Sequence, residues 1–514
     1  MKRQIVMAAL VTVIGLLTLN CLGAEANAPG PAKQADSQER SGVAPAQALE
    51  TIISPDGCHW AAITTKNKNM LVVINGQSGS EFDKIVAGSV IFSPDSKRTA
   101  YAAQKDDKKF VVVDGQLGIA IDDISKNPIA FSPDSKRVIY AARKGQKWFV
   151  VTDNKSGPEF DLIGPGKLIF SADSKRTAYI AKKGEKWLAV IDGQEGTAFD
   201  GINTPAFSSD SKRTAYVAQK GNKQFAVIDG KAGPEAEGIL EGTPVFSPGG
   251  EHIVYGIKKN QKWSILTDGQ ASPEFDGILK GSPVFSPDGK QIAYGAKKGQ
   301  TWSVVLNGKA GSEYSELIPN SLVLNADGKQ IAYIAKKDKK WMVVVNGQAG
   351  PEVEGADSPI FSPDGKRIAY VTKKGEKWYV TVDNQKGAEF DGISKGSLVF
   401  SPDSKQITYG ARNGEKWFVV VDNQKGPEFE GISQGSLVFS PDGKKIAYGA
   451  RKGKKWLMVI NGKAGPEVDK LVKGGPVFHP DGSVEYMGIK DGTLFHIKHQ
   501  PPSAQPAVKD EKTK

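Results

Sequence analysis

Residues 438–471, VFSPDGKKIAYGARKGKKWLMVINGKAGPEVDKL, decide the fold because near-copies of this stretch fill almost the whole chain. Counted from the Ser of the S-P-D-G turn, there are twelve copies, spaced 39 residues apart except for two steps of 37. They begin at Ser54, Ser93, Ser132, Ser171, Ser208, Ser247, Ser286, Asn325, Ser362, Ser401, Ser440 and His479. A period of about 40 residues with four short strands per unit is typical of β-propeller blades.

One copy is interpreted as four strands joined by turns. Residues 437–439 are apolar, and Ser440–Gly443 has the Pro and Gly positions of a type I turn. Lys445–Ala450 alternates bulky and small residues, and Trp456–Ile460 is apolar throughout, as in a strand buried on both faces. The last strand, Pro466–Leu471, carries Pro and acids, which protect a sheet edge. The pattern predicts a propeller blade whose inner strand is buried and whose outer strand is protected from pairing with other chains.

Aromatic residues recur at fixed positions of the copies. Ten of the thirteen tyrosines lie eight residues after the motif start, and eight of the nine tryptophans lie sixteen after it. Residues that recur identically in a repeat protein usually pack between neighbouring repeats. We therefore expect these side chains in the core between blades, not in a ligand site. Lys109 and Gln224 replace Trp in two copies and indicate either a gap or a less packed face.

The repeats occupy residues 48–500, and three short segments flank them. Residues 1–26 have the basic start and apolar run of a secretory signal peptide, with a lipoprotein processed at Cys21 as the less favoured alternative. Residues 27–47, rich in Ala, Pro, Gln and Ser, are expected to be a flexible tether. Residues 501–514 are expected to be a disordered tail. The apolar run is too short to span a membrane comfortably, so we expect a periplasmic or secreted protein with no transmembrane segment.

Twelve blades exceed the usual four to eight per ring, so two arrangements are open. Two six-bladed rings would divide at Gly277–Val284, a connection without linker character. A single continuous ring is slightly favoured for that reason. The first and last copies are degenerate, as terminal repeats often are. We expect either residues around Ala48–Ile53 or the tether to supply the missing strand that closes the ring.

The sequence shows no catalytic, cofactor-binding or metal-binding motif, and we expect no enzyme and no cofactor. Gly392–Gly396 and Gly431–Gly435 match G-x-S-x-G, but both lie between blades, away from the strand-to-helix turn that a hydrolase requires. His496 and His499 are three apart on a predicted strand and so point to opposite faces. His479 replaces the Ser of the last turn and is expected at the surface.

Charge is the more informative feature, because the formal net charge is +11 and the basic residues cluster. The hairpin between the second and third strands is predicted to form one basic face of the disc, above an acidic rim of outer strands. The basic residues are Arg143, Lys144, Lys182, Lys183, Lys258, Lys259, Lys297, Lys298, Lys336, Lys337, Lys373, Lys374, Arg451 and Lys452. The acids are Glu159, Asp161, Glu274, Asp276, Glu389, Asp391, Glu428 and Glu430. Two interpretations of these basic hairpins are open. Their charges are solvated and oppose aggregation, or they form a surface that binds an anionic partner.

Runs such as FSPDGKRIAYV (residues 361–371) and FSPDSKRTAYAA (residues 92–103) resemble the WD40-like propeller repeat of the TolB family. The resemblance covers about Ile52 to Ile497. It implies a bacterial envelope protein that works by protein–protein contact, and it carries over no catalytic residues. TolB has an α/β domain before its propeller, whereas only a short tether precedes the first copy here. A stand-alone propeller is therefore expected.

Two functions follow as expectations. The first is an exported, non-enzymatic propeller that acts as a protein-interaction or scaffold module in the bacterial envelope. It is expected to be a monomer with an unknown protein or anionic envelope partner, and export argues against nucleic acid. The alternative is a ligand-binding or enzymatic propeller with its site in the central channel.

Overall fold

The computed structural model describes residues 37–39, 48–56, 59–164, 166, 168–357, 359–472, 475–491 and 493–499. Within these ranges the regular structure is all β-strand, arranged as twelve blades in one ring. Blade one packs on blade twelve, because Trp60 and Leu71 share a buried cluster with Met487. The prediction of a twelve-bladed all-β propeller is confirmed, and the arrangement is the single ring.

The second and third strands form the centre of each blade and pair as antiparallel hairpins. They are long and buried because their apolar residues pack against both neighbouring blades. The second strands are Trp60–Lys66, Thr99–Lys105, Val138–Lys144, Thr177–Lys183, Thr214–Lys220, Ile253–Lys259, Ile292–Lys298, Ile331–Lys337, Ile368–Lys374, Ile407–Asn413, Ile446–Lys452 and Val484–Lys490. The third strands are Asn69–Ile74, Lys108–Val113, Lys147–Thr152, Lys186–Ile191, Lys223–Ile228, Lys262–Thr267, Thr301–Leu306, Lys340–Val345, Lys377–Val382, Lys416–Val421, Lys455–Ile460 and Thr493–His499.

The first strand, on the channel side of each blade, is interrupted by a short loop in most blades. Two blades have an uninterrupted strand, Glu50–Ile53 in blade one and Asp123–Phe131 in blade three. The interrupted strands are Lys84–Ile85 with Ile91–Phe92, Leu162–Ile163 with Ile169–Phe170, Gly201–Ile202 with Ala206–Phe207, Gly238–Ile239 with Val245–Phe246, Gly277–Ile278 with Val284–Phe285, Glu316–Leu317 with Val323–Leu324, Gly355–Ala356 with Ile360–Phe361, Gly392–Ile393 with Val399–Phe400, Gly431–Ile432 with Val438–Phe439, and Lys470–Leu471 with Val477–Phe478. The loop is shorter in blades five and nine, which explains the two 37-residue steps of the repeat.

The fourth strand is short in most blades. The fourth strands are Gln77–Ser78, Gln116–Leu117, Lys155–Phe160, Gln194–Phe199, Lys231–Ala232, Gln270–Ala271, Lys309–Tyr314, Gln348–Ala349, Gln385–Phe390, Gln424–Lys425 and Lys463–Ala464. The predicted last strand at Pro466–Leu471 is wrong in its bounds, because Lys470–Leu471 already pairs with the second strand of blade twelve. The connection between blades therefore uses fewer residues than the sequence indicated.

Blade twelve receives its fourth strand from the start of the chain. Ser37–Glu39 pairs antiparallel with Thr493–His499, and Gln38 lies opposite Ile497. Glu50–Ile53 instead forms the first strand of blade one. Of the two closure hypotheses, the one that uses the tether is therefore correct. Because three residues of the predicted flexible tether lie in this strand, that description does not hold for them.

The recurring tyrosines lie in the core between blades, as predicted. Tyr101 is 2% exposed, and its ring meets Phe82 of blade one edge-on with centroids 6.2 Å apart. Gly79 directly follows the fourth strand of blade one, and a Cβ there would lie 3.6 Å from the Tyr101 hydroxyl oxygen. Similar edge-on pairs recur around the ring, for example Phe160 with Tyr179. Repetition of one packing unit thus builds the interface between most neighbouring blades.

The S-P-D turns are held by their own side chains and join adjacent blades. Ser171 Oγ donates to Asp173 Oδ1 at 2.6 Å, and the Lys175 amide donates to the same oxygen at 3.1 Å. These hydrogen bonds, the Ser171 bond first, hold the pKa of Asp173 below its ordinary value. The Asp173 amide donates across to Ser211 Oγ of the next blade at 2.9 Å. Each such Asp therefore caps its own turn and ties it to the next blade.

Candidate functional site: the hairpin face

The hairpins between second and third strands leave the ring on one side, here called the hairpin face. All fourteen predicted basic residues lie there, at the last two positions of a second strand, as in Arg143 and Lys144. The ladder has the same register in each of these blades, with the last residue of the second strand opposite the first of the third. The basic side chains therefore occupy equivalent positions around the ring.

The first of the two positions holds a cation that stacks on a tryptophan. Lys336 Nζ lies 4.9 Å from the Trp341 ring centroid, and the Arg143 guanidinium carbon lies 5.9 Å from that of Trp148. Five further blades have the same stack, formed by Lys182, Lys258, Lys297, Lys373 and Arg412. A cation over an indole face is attracted to it, so this charge is held against the protein.

The tryptophans pack against the buried clusters between blades, as predicted, but they are half-buried at this end of the blades and not fully enclosed. Their inner side packs on the core, as Trp148 does, while the outer side carries the cation. Four copies lack this Trp, and in two of them polar contacts take its place. Lys109 Nζ bonds Asp123 Oδ1 at 2.6 Å, and Gln224 Oε1 accepts from the Ile239 amide at 2.7 Å.

A further lysine begins most third strands and pairs with an acid between blades. Lys147 Nζ lies 2.6 Å from Asp161 Oδ1, and the Gly184 amide of the next blade donates to Asp161 Oδ2 at 2.7 Å. These two contacts, the lysine first, lower the pKa of Asp161. Asp276, Asp391 and Glu430 make the same bridge. These acids lie beside the hairpins, so the prediction that they belong to an acidic rim is wrong. The other four predicted acids are exposed on the outer segment of the blades: Glu159, Glu274, Glu389 and Glu428.

The last residue of the second strand is an exposed lysine in eleven blades. Ten of these lysines lie twelve residues after their motif start, and the eleventh is Lys490 of blade twelve. We call the ten the lysine ring: Lys66, Lys105, Lys144, Lys183, Lys220, Lys259, Lys298, Lys337, Lys374 and Lys452. All ten are exposed. Lys66, Lys183 and Lys452 contact Glu81, Glu195 and Glu467. The other seven have no ion pair within the part of the chain that the structure describes.

Sequence reasoning missed three members of the lysine ring, Lys66, Lys105 and Lys220, because the residue before each of them is neutral and no pair of basic residues marks the position. The signal that finds them is position, since each lies twelve residues after its motif start. The hairpin thus sorts its cations by role. One stacks on Trp, one bridges to the next blade, and one is free to meet a partner.

The opposite side of the disc is formed by the S-P-D turns, in which lysines and acids lie close together in the sequence. We call its exposed lysines the turn-face set: Lys97, Lys136, Lys175, Lys212, Lys290, Lys329, Lys366, Lys405 and Lys444. Each follows an Asp by two residues, and Lys329 Nζ lies 3.3 Å from Asp327 Oδ2. The hairpin face therefore carries more lysines than the turn face, because it also holds the stacked and the bridging cations, whereas every turn-face lysine follows an Asp in the sequence.

Blade twelve contains a buried charge cluster that the sequence did not reveal. The Glu485 side chain is 5% exposed, and its Oε2 lies 3.0 Å from His496 Nε2 and 3.2 Å from His479 Nε2. Lys498 Nζ lies 3.2 Å from Oε1. The expectation that His479 is a surface variation is wrong, because its ring turns inward to this carboxylate. The hydrogen bond from His496 is the main cause that lowers the pKa of Glu485 to about 2.

Neither a metal cluster nor a membrane-spanning helix is found among the described residues. No group of three His, Cys, Asp or Glu there is arranged to hold a metal ion. No helix there is long and apolar enough to cross a membrane. Two open cavities, of about 500 and 270 Å³, lie between neighbouring blades at equivalent positions, beside Tyr179 and Tyr448. They belong to the repeated packing of the ring and not to its central channel.

No protein-family model and no curated protein matches the sequence. Several solved β-propellers are among the structures to which the chain is similar. TolB from Acinetobacter baumannii is 15% identical, with a TM-score of 0.23 over 63% of this chain and 79% of that one. The β-propeller domain of Cps50 (Swd1) from Myceliophteria thermophila is 13% identical, with a TM-score of 0.24 over 51% and 98%. The propeller domain of the Trilobed protease from Pyrococcus furiosus is 16% identical, with a TM-score of 0.25 over 59% and 98%.

The solved structures that match thus include TolB, while the twelve-bladed fold of this chain is established by its own strand pairing. Identities and TM-scores at this level concern the blade architecture alone.

Proposed function

We propose that the chain is an exported, non-enzymatic β-propeller that acts as a protein-interaction or scaffold module in the bacterial cell envelope. The lysine ring carries the proposal, because one exposed cation repeats at the same position in ten of twelve blades. Seven of the ten have no ion pair among the described residues, so their charge is available to an anionic partner. A single divergent blade would instead favour one small-molecule site.

Export is part of this proposal and depends on the predicted signal peptide, residues 1–26, which lies outside the described residues. Cleavage at that point gives a mature chain that begins at Asn27. The intact mass of the exported protein tests it. A lipid-modified Cys21 at the N-terminus would instead establish the lipoprotein alternative.

The binding role is tested with inorganic polyphosphate as a soluble anionic probe. We expect the mature protein to bind it at low salt and to release it as ionic strength rises, because exposed charges are screened beyond about 8 Å at physiological salt. A hairpin-face variant, K144Q/K298Q/K337Q/K374Q, should bind at least about tenfold more weakly, since it removes four free cations.

The matched control is K136Q/K290Q/K329Q/K366Q, which removes four lysines from the turn face of the same four blades. Both variants lose the same net charge, so only the face differs. The control should bind polyphosphate like the unmodified protein. Equal weakening of both variants would show that overall charge, not the hairpin face, governs binding and would contradict the proposal.

A further inference from the structure

The width and flatness of the lysine ring indicate what kind of partner surface it binds. The blades share one register, so the lysines lie at one height around the ring axis. Twelve sheets packed about 10 Å apart give a circumference near 120 Å at the channel, hence a ring more than about 40 Å across. The free cations are therefore spread over a wide, flat annulus and not gathered in a pocket.

A flat partner fits this annulus better than a compact one. A typical protein partner buries about 800 Å² on each side, which covers only a few neighbouring blades. A linear polymer follows only the arc on which it lies. A plane of negative charge reaches all members of the lysine ring together, and each exposed lysine adds to its attraction.

We propose that the hairpin face docks the propeller flat on an anionic lipid surface. This inference rests on the proposed function, because it names the partner of the same face. The stacked cations, such as Lys336 on Trp341, stay against the protein, and the bridging lysines, such as Lys147, are neutralised by their acids. The lysine ring then makes the contacts with lipid phosphates. The turn face, where each lysine accompanies an acid, points away from the membrane.

The protein carries its own reporter of this orientation. Eight of nine tryptophans lie at the hairpin end of the blades, directly after the hairpin, as Trp148 does. The ninth, Trp60, is 0% exposed and begins its second strand at the opposite end. A quencher on lipid headgroups therefore reduces tryptophan fluorescence when the hairpin face meets the bilayer.

The test uses the mature protein with vesicles of phosphatidylcholine containing about one third phosphatidylglycerol, and with vesicles of phosphatidylcholine alone. We expect co-sedimentation with the anionic vesicles only, and quenching by nitroxide-labelled headgroups. The hairpin-face variant K144Q/K298Q/K337Q/K374Q should bind these vesicles at least about tenfold more weakly. The turn-face variant K136Q/K290Q/K329Q/K366Q should stay within about twofold of the unmodified protein.

The possible failures are distinguishable. Binding to polyphosphate through the hairpin face without binding to anionic vesicles would overturn the lipid inference and leave the proposed function standing. Equal loss in both variants, or vesicle binding without quenching, would also overturn the inference, because the hairpin face would not be the docking surface. If neither probe responds to the hairpin-face variant, both proposals are wrong.

Discussion

Replacing Ser37, Gln38 and Glu39 with proline is expected to open the ring between blades twelve and one. Proline has no amide to donate and is excluded from paired strands, so the ladder with Thr493–His499 is lost. Ile497, fully buried in blade twelve, loses the strand opposite it. We estimate a loss of about 3 kcal/mol in the stability of the terminal blades, from roughly three hydrogen bonds at about 1 kcal/mol each.

Hydrogen exchange gives the sharpest readout of that variant. Amides in Thr493–His499 should lose protection by on the order of 100-fold, because about 1.4 kcal/mol is a factor of ten in the opening equilibrium. The matched control is S37A/Q38A/E39A, which keeps every backbone amide and should exchange like the unmodified protein. Equal protection in the proline and alanine variants would show that the N-terminal strand does not close the ring.

The variant E485Q is expected to lower the stability of blade twelve by about 2–3 kcal/mol at neutral pH. Glutamine keeps the size of the side chain but removes the charge that His479, His496 and Lys498 surround. Breaking a buried charge cluster is costly because the remaining polar groups lose their partner without regaining water. Denaturant unfolding of both proteins measures the difference.

The pH dependence of that difference identifies the carboxylate as its cause. The pKa of Glu485 in the folded protein is about 2, below its ordinary value of 4.5. A lowered pKa stabilises the fold fully above pH 4.5 and loses its contribution as pH falls towards 2. The gap between the unmodified protein and E485Q should therefore close over that range. E467Q, which changes a half-exposed acid of blade eleven, should show almost no gap at any pH.

Much of the fold could be predicted because the same blade pattern occurs twelve times in the sequence. The period, the S-P-D turns and the Tyr positions each gave a physical reason for a blade and for contact between blades. The choice of one ring came from the connection at Gly277–Val284, which has no linker character. The two 37-residue steps were visible in the sequence, but their cause, a shorter loop in the first strands of blades five and nine, needed the strand pairing.

The remaining differences share one origin. A repeated sequence shows which residues are equivalent in each blade, but it does not show at which end of the blade a side chain lies. The tryptophans pack between blades as expected, but their position at the hairpin end under stacked cations was not predicted. Asp161 was expected at the rim, yet it bridges two blades beside the hairpins. His479 was expected at the surface because it replaces a turn Ser, and only the tertiary structure brings Glu485 to it.

The sequence did not show that Ser37–Glu39 closes the ring, because a strand of three residues is too short to have a recognisable pattern of polar and apolar residues. Its pairing is decided by the unpaired edge of Thr493–His499, which lies more than 450 residues later. Such a contact follows from ring geometry and not from local propensity.

The measurement that tests the account most directly is a set of face-on electron-microscopy class averages of the purified mature protein. The account predicts one ring with twelve spokes and an open centre, since neighbouring blades share buried clusters around the circle, including Trp60 with Met487 across the closure. Two separate lobes of six spokes each, or an open arc with a gap between blades one and twelve, would contradict it.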